Sequence, residues 1–172
     1  TLVENLISRS KLVSYLVICS GRRNGRSPVY KGACRKFVPL KANGIQSIMY
    51  DLFGMLCSLQ SDEILLLGVS AGIFLPFVRI IYHGKIIVHV DGIEWRRDKW
   101  GRISKFFLRF SEHIAVRFSD VIISDNTAIS QYIFEAYRKT CTSISYGGDS
   151  TQLASSTHKH EFSQKPLEAA NG

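Results

Sequence analysis

The fold is decided by the stretch Lys85-Ile-Ile-Val-His-Val-Asp-Gly92. Most of its residues before Asp91 are β-branched and apolar, with no regular polar alternation, and Asp91-Gly92 ends the run. Strands of this kind are buried on both faces, as in a parallel sheet that helices cover. A second such run, Glu63–Leu67, closes at Gly68. Together the two runs predict a sheet of parallel strands inside an α/β domain.

Outward from these two strands, helical and extended patterns alternate along the chain. The predicted helices are Leu2–Leu12, Ile45–Leu59, Phe74–Tyr82, Ile103–Phe118 and Asn126–Arg138, and the other predicted strands are Tyr15–Cys19, Cys34–Leu40, Asp120–Ser124 and Thr142–Ser145. This alternation is typical of a doubly wound, mostly parallel, Rossmann-like α/β fold. Because the chain opens on a helix, we expect one strand and its loop to precede Thr1. In the fourth helix we expect these apolar residues to face inward: Ile103, Phe106, Phe107, Phe110, Ile114 and Phe118.

The length of 172 residues fits one domain with a sizeable core. A hydrophobic share of 45% and a charged share of 21% are those of a globular chain. The composition turns polar after Asp149, which predicts a domain over residues 1–149 and a polar, flexible tail over 150–172. No run approaches the roughly 20 apolar residues that span a bilayer.

The net charge of +8 comes from 22 basic and 14 acidic residues. Much of the excess lies between residues 96 and 117, a segment with only two acidic residues, Asp98 and Glu112. Its seven basic residues are Arg96, Arg97, Lys99, Arg102, Lys105, Arg109 and Arg117. Two interpretations stay open for this segment, an anionic membrane surface as partner or an ordinary helix with a charged outer face. Nucleic acid is not expected, because no recognised binding motif accompanies the charge.

Several common kinds of site are disfavoured by the motifs that the sequence lacks. There is no GxGxxG, no GxxxxGK[ST] and no HExxH, which weighs against a self-contained dinucleotide, P-loop or zinc-protease site. The four cysteines stand far apart without a CxxC pair, so we expect free, mostly buried thiols in a reducing cytoplasm. No metal and no cofactor is expected.

Ligands of open parallel sheets bind beyond the carboxyl ends of the strands, so the residues that follow each strand are the candidates. The segment His89-Val-Asp-Gly-Ile-Glu-Trp-Arg-Arg-Asp-Lys-Trp100 combines carboxylates, an imidazole, two indoles and several cations. Carboxylates and aromatic faces are the groups that bind sugars. We predict Asp91 and His89 as catalytic residues, and these as substrate-binding residues: Gly68, Ser70, Gly92, Glu94, Trp95, Arg96 and Arg97.

Structural readings of the same residues stay open. Asp91-Gly92 also fits a simple turn, Trp95 a core plug and the basic run a solvated face. His89 is either a proton-handling partner of Asp91 or a buried, satisfied histidine. Gly68-Val-Ser-Ala-Gly72 either offers free N–H groups to an anion or forms a tight turn. Ser124-Asp125-Asn126 is expected to cap the following helix.

Four strings carry a resemblance to a known family. They are Leu65-Leu-Leu-Gly-Val, Val88-His-Val-Asp-Gly-Ile-Glu-Trp-Arg-Arg-Asp-Lys-Trp-Gly, Ala115-Val-Arg-Phe-Ser-Asp and Ser145-Tyr-Gly-Gly-Asp. Over residues 1–149 the chain resembles bacterial rhamnosyltransferase-like proteins, whose amino-terminal domain was first catalogued as a domain of unknown function. These proteins belong with the large retaining glycosyltransferases of the two-domain GT-B architecture (family four type).

The resemblance implies an amino-terminal acceptor-side domain, a following donor domain and a nucleotide-sugar held between them. It implies transfer of a rhamnosyl or related hexosyl group to a lipid-linked or polysaccharide acceptor, in the cytoplasm or on the inner face of the cell membrane. Tyr146–Asp149 matches the segment that leads to the interdomain hinge, Glu4 matches an acid of the first helix, and the family's glycine-rich loop would lie ahead of Thr1. Asp91 falls where the wider family often has a histidine that contacts the transferred sugar, and here His89 stands two residues earlier.

The resemblance also implies that this chain alone binds weakly and turns over nothing. Two other functions remain alternatives. One is a nucleotide-sugar-modifying enzyme, such as an epimerase or a reductase, and the other is a non-catalytic membrane- or polysaccharide-binding module.

Overall fold

A computed structural model describes residues 2–10, 12–21, 24, 26–42 and 45–144. The predicted hinge segment Tyr146–Asp149 and the predicted tail 150–172 lie outside the described residues, as does Thr1. In chain order the elements are α1 (Leu2–Arg9), β1 (Leu16–Ser20), β2 (Val29–Tyr30), β3 (Ala33–Val38), α2 (Ile45–Cys57), β4 (Glu63–Leu67), a 3₁₀ helix (Ser70–Phe74), α3 (Leu75–Ile81), β5 (Lys85–Val90), a second 3₁₀ helix (Glu94–Arg96), α4 (Arg102–Phe118), β6 (Val121–Ser124), α5 (Thr127–Tyr137) and β7 (Thr142–Ser143).

The main sheet has four parallel strands in the order β4-β5-β6-β7, with helices packed against it. This arrangement confirms the predicted Rossmann-like α/β fold. The strands do not form a single sheet, however, because β1 and β3 pair in parallel in a second sheet that β2 joins antiparallel. Among the described residues, no strand pairs with the second edge of β1 or of β4.

Helix α2 connects the two sheets. The hydroxyl of Tyr50 donates a hydrogen bond to the carbonyl of Ile18 in β1 at 2.8 Å. One residue further on, Asp51 accepts a hydrogen bond from Ser70 Oγ, just beyond β4, at 2.6 Å. The two contacts fix the helix against both sheets at once.

Strand β5 forms the centre of the core. Its residues Ile86, Val88 and Val90 have no measurable exposure, and Val88 stands in register with Leu66 of β4 and Ile122 of β6. The side chains of Ile86, Val88 and Val90 share one face of the strand, and His89 on the opposite face is buried as well, so both faces are covered as predicted. None of the helices among the described residues has the length and apolar character that crossing a bilayer requires.

Helix α4 turns a different face to the core from the predicted one. Ile103, Phe106 and Phe110 are 87%, 73% and 47% exposed and Phe118 is also exposed, whereas the buried residues are Leu108, Ser111, Glu112, Ala115 and Val116. The prediction was wrong for these four exposed residues, because two polar residues lie inside, whereas Phe107 is half-buried and Ile114 packs against the core as predicted. Ser111 Oγ donates to the carbonyl of Val69 at 2.7 Å and accepts from the amide of Ile73, which makes its burial favourable.

The structure confirms some of the other local predictions and corrects the rest. Pro76 lies in the first turn of α3, and the side chain of Asn126 caps α5 by accepting a hydrogen bond from the amide of Ile129 at 2.9 Å. All four cysteines are free thiols, but they are not mostly buried, since three are half-buried and Cys34 is exposed. The hairpin of β2 and β3 was not predicted. Its turn places Lys31 and Gly32 at positive φ, as tight two-residue hairpins require.

Asp120, directly ahead of β6, fastens this strand to β5 and α3. Its carboxylate accepts a hydrogen bond from the amide of Ile86 at 2.7 Å and forms an ion pair with Arg79. Burial on its own raises the pKa of Asp120, but the hydrogen bonds from Ile86 and Arg79 outweigh it, so the pKa is lowered. A carboxyl whose pKa is lower in the folded state stabilises the fold above its unfolded pKa of about 3.9 and loses that contribution as pH falls through the lowered value.

We therefore expect Asp120→Asn to flatten the acid limb of the stability curve. The wild type should lose stability between about pH 5 and pH 2 more steeply than the variant, because only the wild type has this carboxylate to protonate. Urea midpoints measured across this range check the prediction, with Asp98→Asn, whose side chain is fully exposed, as the charge-matched control. Equal slopes for the wild type and Asp120→Asn would contradict it.

Candidate functional site

The carboxyl ends of β4, β5 and β6 meet at one edge of the main sheet, because the three strands are parallel. Gly68 and Ser70 follow β4, and Asp91 and Gly92 follow β5. The Asp91 side chain is exposed and forms no hydrogen bond or ion pair with any described residue. An unengaged carboxylate at this edge is available to a ligand.

His89 lies inside the sheet instead of at its edge. It is buried in β5, in register with Leu67 and Ile123, and its carbonyl accepts a hydrogen bond from the amide of Gly68 at 3.0 Å. The strand ends at Val90, so the alternation that would place His89 and Asp91 on one face stops before Asp91. The structure thus separates the two predicted catalytic residues into a buried and an exposed position.

The turn after β4 is held by its own hydrogen bonds. The amide of Gly72 donates to the carbonyl of Val69 at 3.0 Å, and the amide of Ile73 donates to Ser111 Oγ at 3.1 Å. Gly68 has a φ of +112°, a conformation that favours glycine. The amides of Gly68 and Gly72 are thus used inside the fold, and the positive φ of Gly68 fits the tight-turn interpretation of this segment.

Asp51 belongs to the same edge and was not predicted. Its hydrogen bond from Ser70 Oγ orients that hydroxyl, and burial raises the pKa of Asp51 although this bond opposes the rise. A signal was present in the sequence, since Asp51 is the only charged residue of α2. Such a lone acid in an apolar helix suggests a specific partner.

Glu94 organises its own loop. Its carboxylate accepts hydrogen bonds from Lys99 Nζ at 2.8 Å, Arg97 Nη1 at 2.9 Å and Trp100 Nε1 at 3.2 Å. Burial would raise the pKa of Glu94, but these three donors together lower it. Glu94 and Arg97, both predicted to bind substrate, are thus engaged with each other.

The side chain of Trp95 packs against the helices and does not lie at the sheet edge. Its indole N–H donates to Glu112 Oε1 at 3.4 Å, and the same oxygen accepts hydrogen bonds from the hydroxyls of Tyr132 at 2.6 Å and Tyr137 at 2.5 Å. Glu112 is fully buried, and burial followed by this carboxylate raises the pKa of both tyrosines. The three donors and Glu112 form what we call the Glu112 cluster. It favours the reading of Trp95 as a packing residue.

Two guanidinium groups also lie over the Trp95 ring. The guanidinium carbon Cζ of Arg96 lies 5.2 Å from the ring centroid, and that of Arg109 lies 5.1 Å from it. Arg96 was predicted to bind substrate at the sheet edge, but its side chain lies beside Trp95 against the helices. Neither the Glu112 cluster nor Arg109 was predicted. Their signal in the sequence was weak, because the tyrosines of α5 lie far along the chain from Trp95.

The fold and the sheet edge define an α/β domain of the Rossmann-like class, with Gly68, Ser70, Asp91 and Gly92 brought together near the carboxyl ends of its parallel strands. A family model described as "Domain of unknown function (DUF1972)" matches residues 1–149, and the chain belongs to this family. A search of the curated proteins finds no match.

Proposed function

We propose that the chain is the acceptor-side domain of a two-domain GT-B glycosyltransferase. The whole enzyme would transfer a rhamnosyl or related hexosyl group from a nucleotide-sugar to a lipid-linked or polysaccharide acceptor. Domains of this family occur in glycosyltransferase-associated contexts, and the string around Asp91 resembles rhamnosyltransferases. The observation that carries the proposal is the exposed, unengaged Asp91 carboxylate directly beyond the central strand of a parallel sheet.

In this proposal Asp91 binds and orients a sugar. A carboxylate accepts hydrogen bonds from two neighbouring hydroxyls, and such charged hydrogen bonds are roughly twice as strong as neutral ones. The Ser70 hydroxyl, held by Asp51, is the second polar group of the same edge. Positioning of the attacking hydroxyl is the main contribution of an acceptor domain. Stabilisation of the leaving diphosphate would fall to the donor domain.

The proposal predicts selective, weak sugar binding at the sheet edge. Titration of the isotopically labelled chain with methyl glycosides of rhamnose, galactose and N-acetylglucosamine should shift the amide resonances of Gly68, Asp91 and Gly92 in a saturable way for at least one glycoside. Asp91→Asn should weaken that binding by about tenfold, as expected for a lost charged hydrogen bond. The chain alone should form no product from nucleotide-rhamnose and a lipid-linked acceptor.

The matched control is Asp98→Asn, a fully exposed aspartate of the same loop, which should leave the titration unchanged. Absence of saturable shifts at the edge with every glycoside would contradict the proposal. Tight binding of NADH in a parallel fluorescence titration would instead support a nucleotide-sugar-modifying enzyme. Robust transfer by the chain alone would contradict the assignment of donor binding to another domain.

A further inference from the structure

The outer face of α4 carries a stripe of large apolar side chains that the described part of the chain leaves uncovered. Ile103, Phe106 and Phe110 recur at three- and four-residue steps and so share one face of the helix. The rings of Phe106 and Phe110 stack with centroids 6.4 Å apart. Single exposed apolar residues are ordinary, but a contiguous group of them marks an interaction site. We call this group the α4 stripe.

Unpaired arginines flank the α4 stripe. Of the seven basic residues between 96 and 117, Arg97 and Lys99 bind Glu94, and Lys105 lies 3.9 Å from Asp98. The other four form no ion pair with any described residue: Arg96, Arg102, Arg109 and Arg117. The only acid of α4 is Glu112, and it is buried. The outer face of the helix is therefore cationic as well as apolar.

A groove of about 500 Å³ opens beside the α4 stripe, between α4, α5 and the loop after β5. Its wall includes Trp95, Arg96 and Arg109 together with Phe106 and Phe110 of the α4 stripe. The guanidinium groups of Arg96 and Arg109 stand over the Trp95 ring at its wall. Guanidinium groups bind phosphate oxygens with paired N–H donors, and the aromatic rings offer apolar contact to the rest of a lipid. The groove suits an anionic lipid headgroup.

We propose that this face of α4 docks the protein on an anionic lipid bilayer. Ile103, Phe106 and Phe110 enter the interface between headgroups and acyl chains, while the four arginines lie at headgroup level. Apolar insertion and attraction of basic side chains to anionic lipid are the two contributions that hold interfacial helices on membranes. The proposal does not depend on the glycosyltransferase function.

The positive charge of this face favours an anionic bilayer as its partner over a second copy of the chain. Two copies meeting through the α4 stripe would bring the same arginines together, with no exposed carboxylate of α4 to neutralise them. An anionic bilayer supplies the opposite charge together with an apolar interior.

Sedimentation of the full chain with vesicles tests the proposal. Vesicles of phosphatidylglycerol and phosphatidylcholine in equal parts should bind the chain, and vesicles of phosphatidylcholine alone should bind it far more weakly. The triple variant Arg102→Gln, Arg109→Gln, Arg117→Gln should bind roughly a hundredfold more weakly, at roughly fivefold for each arginine. The double variant Ile103→Ser, Phe106→Ser should lose roughly tenfold or more. All the replaced side chains are exposed, and circular dichroism checks that the variants fold.

The matched charge control is Lys36→Gln, Lys41→Gln, Lys139→Gln, which lowers the net charge by the same amount, from +8 to 8 − 3 = +5, at exposed positions elsewhere. Leu12→Ser, at a fully exposed leucine, is the apolar control. Equal losses in the two triple variants, or equal binding to both kinds of vesicle, would overturn the proposal. Self-association that disappears in Ile103→Ser, Phe106→Ser would also overturn it and assign the face to a second copy. Glycoside binding should stay unchanged in every stripe variant, so this result is separate from the outcome for the proposed function.

Discussion

Replacing Gly72 with alanine is expected to lower the free energy of unfolding by about 3 kcal/mol. A Cβ atom at this position would lie 2.2 Å from the carbonyl oxygen of Ser111 and 2.7 Å from Cβ of Ala115. Both atoms belong to the long helix α4, whose backbone cannot yield without moving its buried face off the sheet. Overpacking of this kind costs roughly 1–3 kcal/mol where side chains can adjust, and a backbone clash lies at the upper end.

Urea unfolding followed by circular dichroism measures this loss, and Gly54→Ala is the matched control. Gly54 lies within α2, where the nearest atoms to an added Cβ belong to the Ile18 side chain, at 3.6 Å and above, which is ordinary van der Waals contact. Because alanine favours a helix over glycine, Gly54→Ala should raise stability by roughly 0.5–1 kcal/mol. The two variants make the same chemical change with opposite expected signs. A near-neutral effect of Gly72→Ala would contradict this prediction and show that α4 can move away from Gly72 at little cost.

Replacing Glu112 with leucine is expected to destabilise the fold by roughly 3–5 kcal/mol. The carboxylate accepts hydrogen bonds from Trp95, Tyr132 and Tyr137. In the variant these donors lose their shared acceptor in a partly buried setting, and each unsatisfied group costs about 1–3 kcal/mol. Glu112→Gln keeps one carbonyl acceptor of similar shape, so its loss should be smaller. Chemical denaturation of the three proteins measures the difference.

A compensating variant separates hydrogen bonding from packing. If unsatisfied donors cause the loss, adding Tyr132→Phe and Tyr137→Phe to Glu112→Leu should recover part of the stability, because both sides of the two shortest bonds are then apolar. A triple variant less stable than Glu112→Leu would contradict this explanation. Tryptophan emission is a second readout. Loosening of the Glu112 cluster should expose Trp95 and shift the emission to longer wavelength.

Local order was predictable wherever the signal is contained in a few neighbouring residues. Strands β4 and β5 have the predicted bounds because their apolar runs end at Gly68 and at Asp91. Pro76 and Asn126 set the starts of α3 and α5 through short-range geometry. The position of Asp91 at the sheet edge also follows from a local rule, that ligand-facing residues come directly after parallel strands.

The unpredicted features depend on contacts between distant parts of the chain. Ser111 is buried because its hydrogen-bond partner Val69 lies 42 residues away. Glu112 is buried because its strongest donors belong to α5, 20 and 25 residues further on. A prediction from the spacing of apolar residues places the polar Ser111 and Glu112 on the solvent side, and it therefore assigns the wrong face of α4 to the core. The contacts with Glu112 and Arg109 also hold the Trp95 side chain against the helices and away from the sheet edge. The residues of its own loop do not indicate this position.

Within the described part of the chain, β1 and β4 each have one edge without a partner strand, and these edges influence how the chain behaves in concentrated solution. An open strand edge is a template for pairing with another molecule, and β4 adds two exposed leucines, Leu65 and Leu67, beside its backbone. The net charge of +8 opposes this by mutual repulsion between molecules. Repulsion between exposed charges fades as salt shortens the Debye length to about 10 Å at 0.1 M and about 3 Å at 1 M. Rising ionic strength thus shifts the balance from colloidal repulsion toward aggregation through these edges.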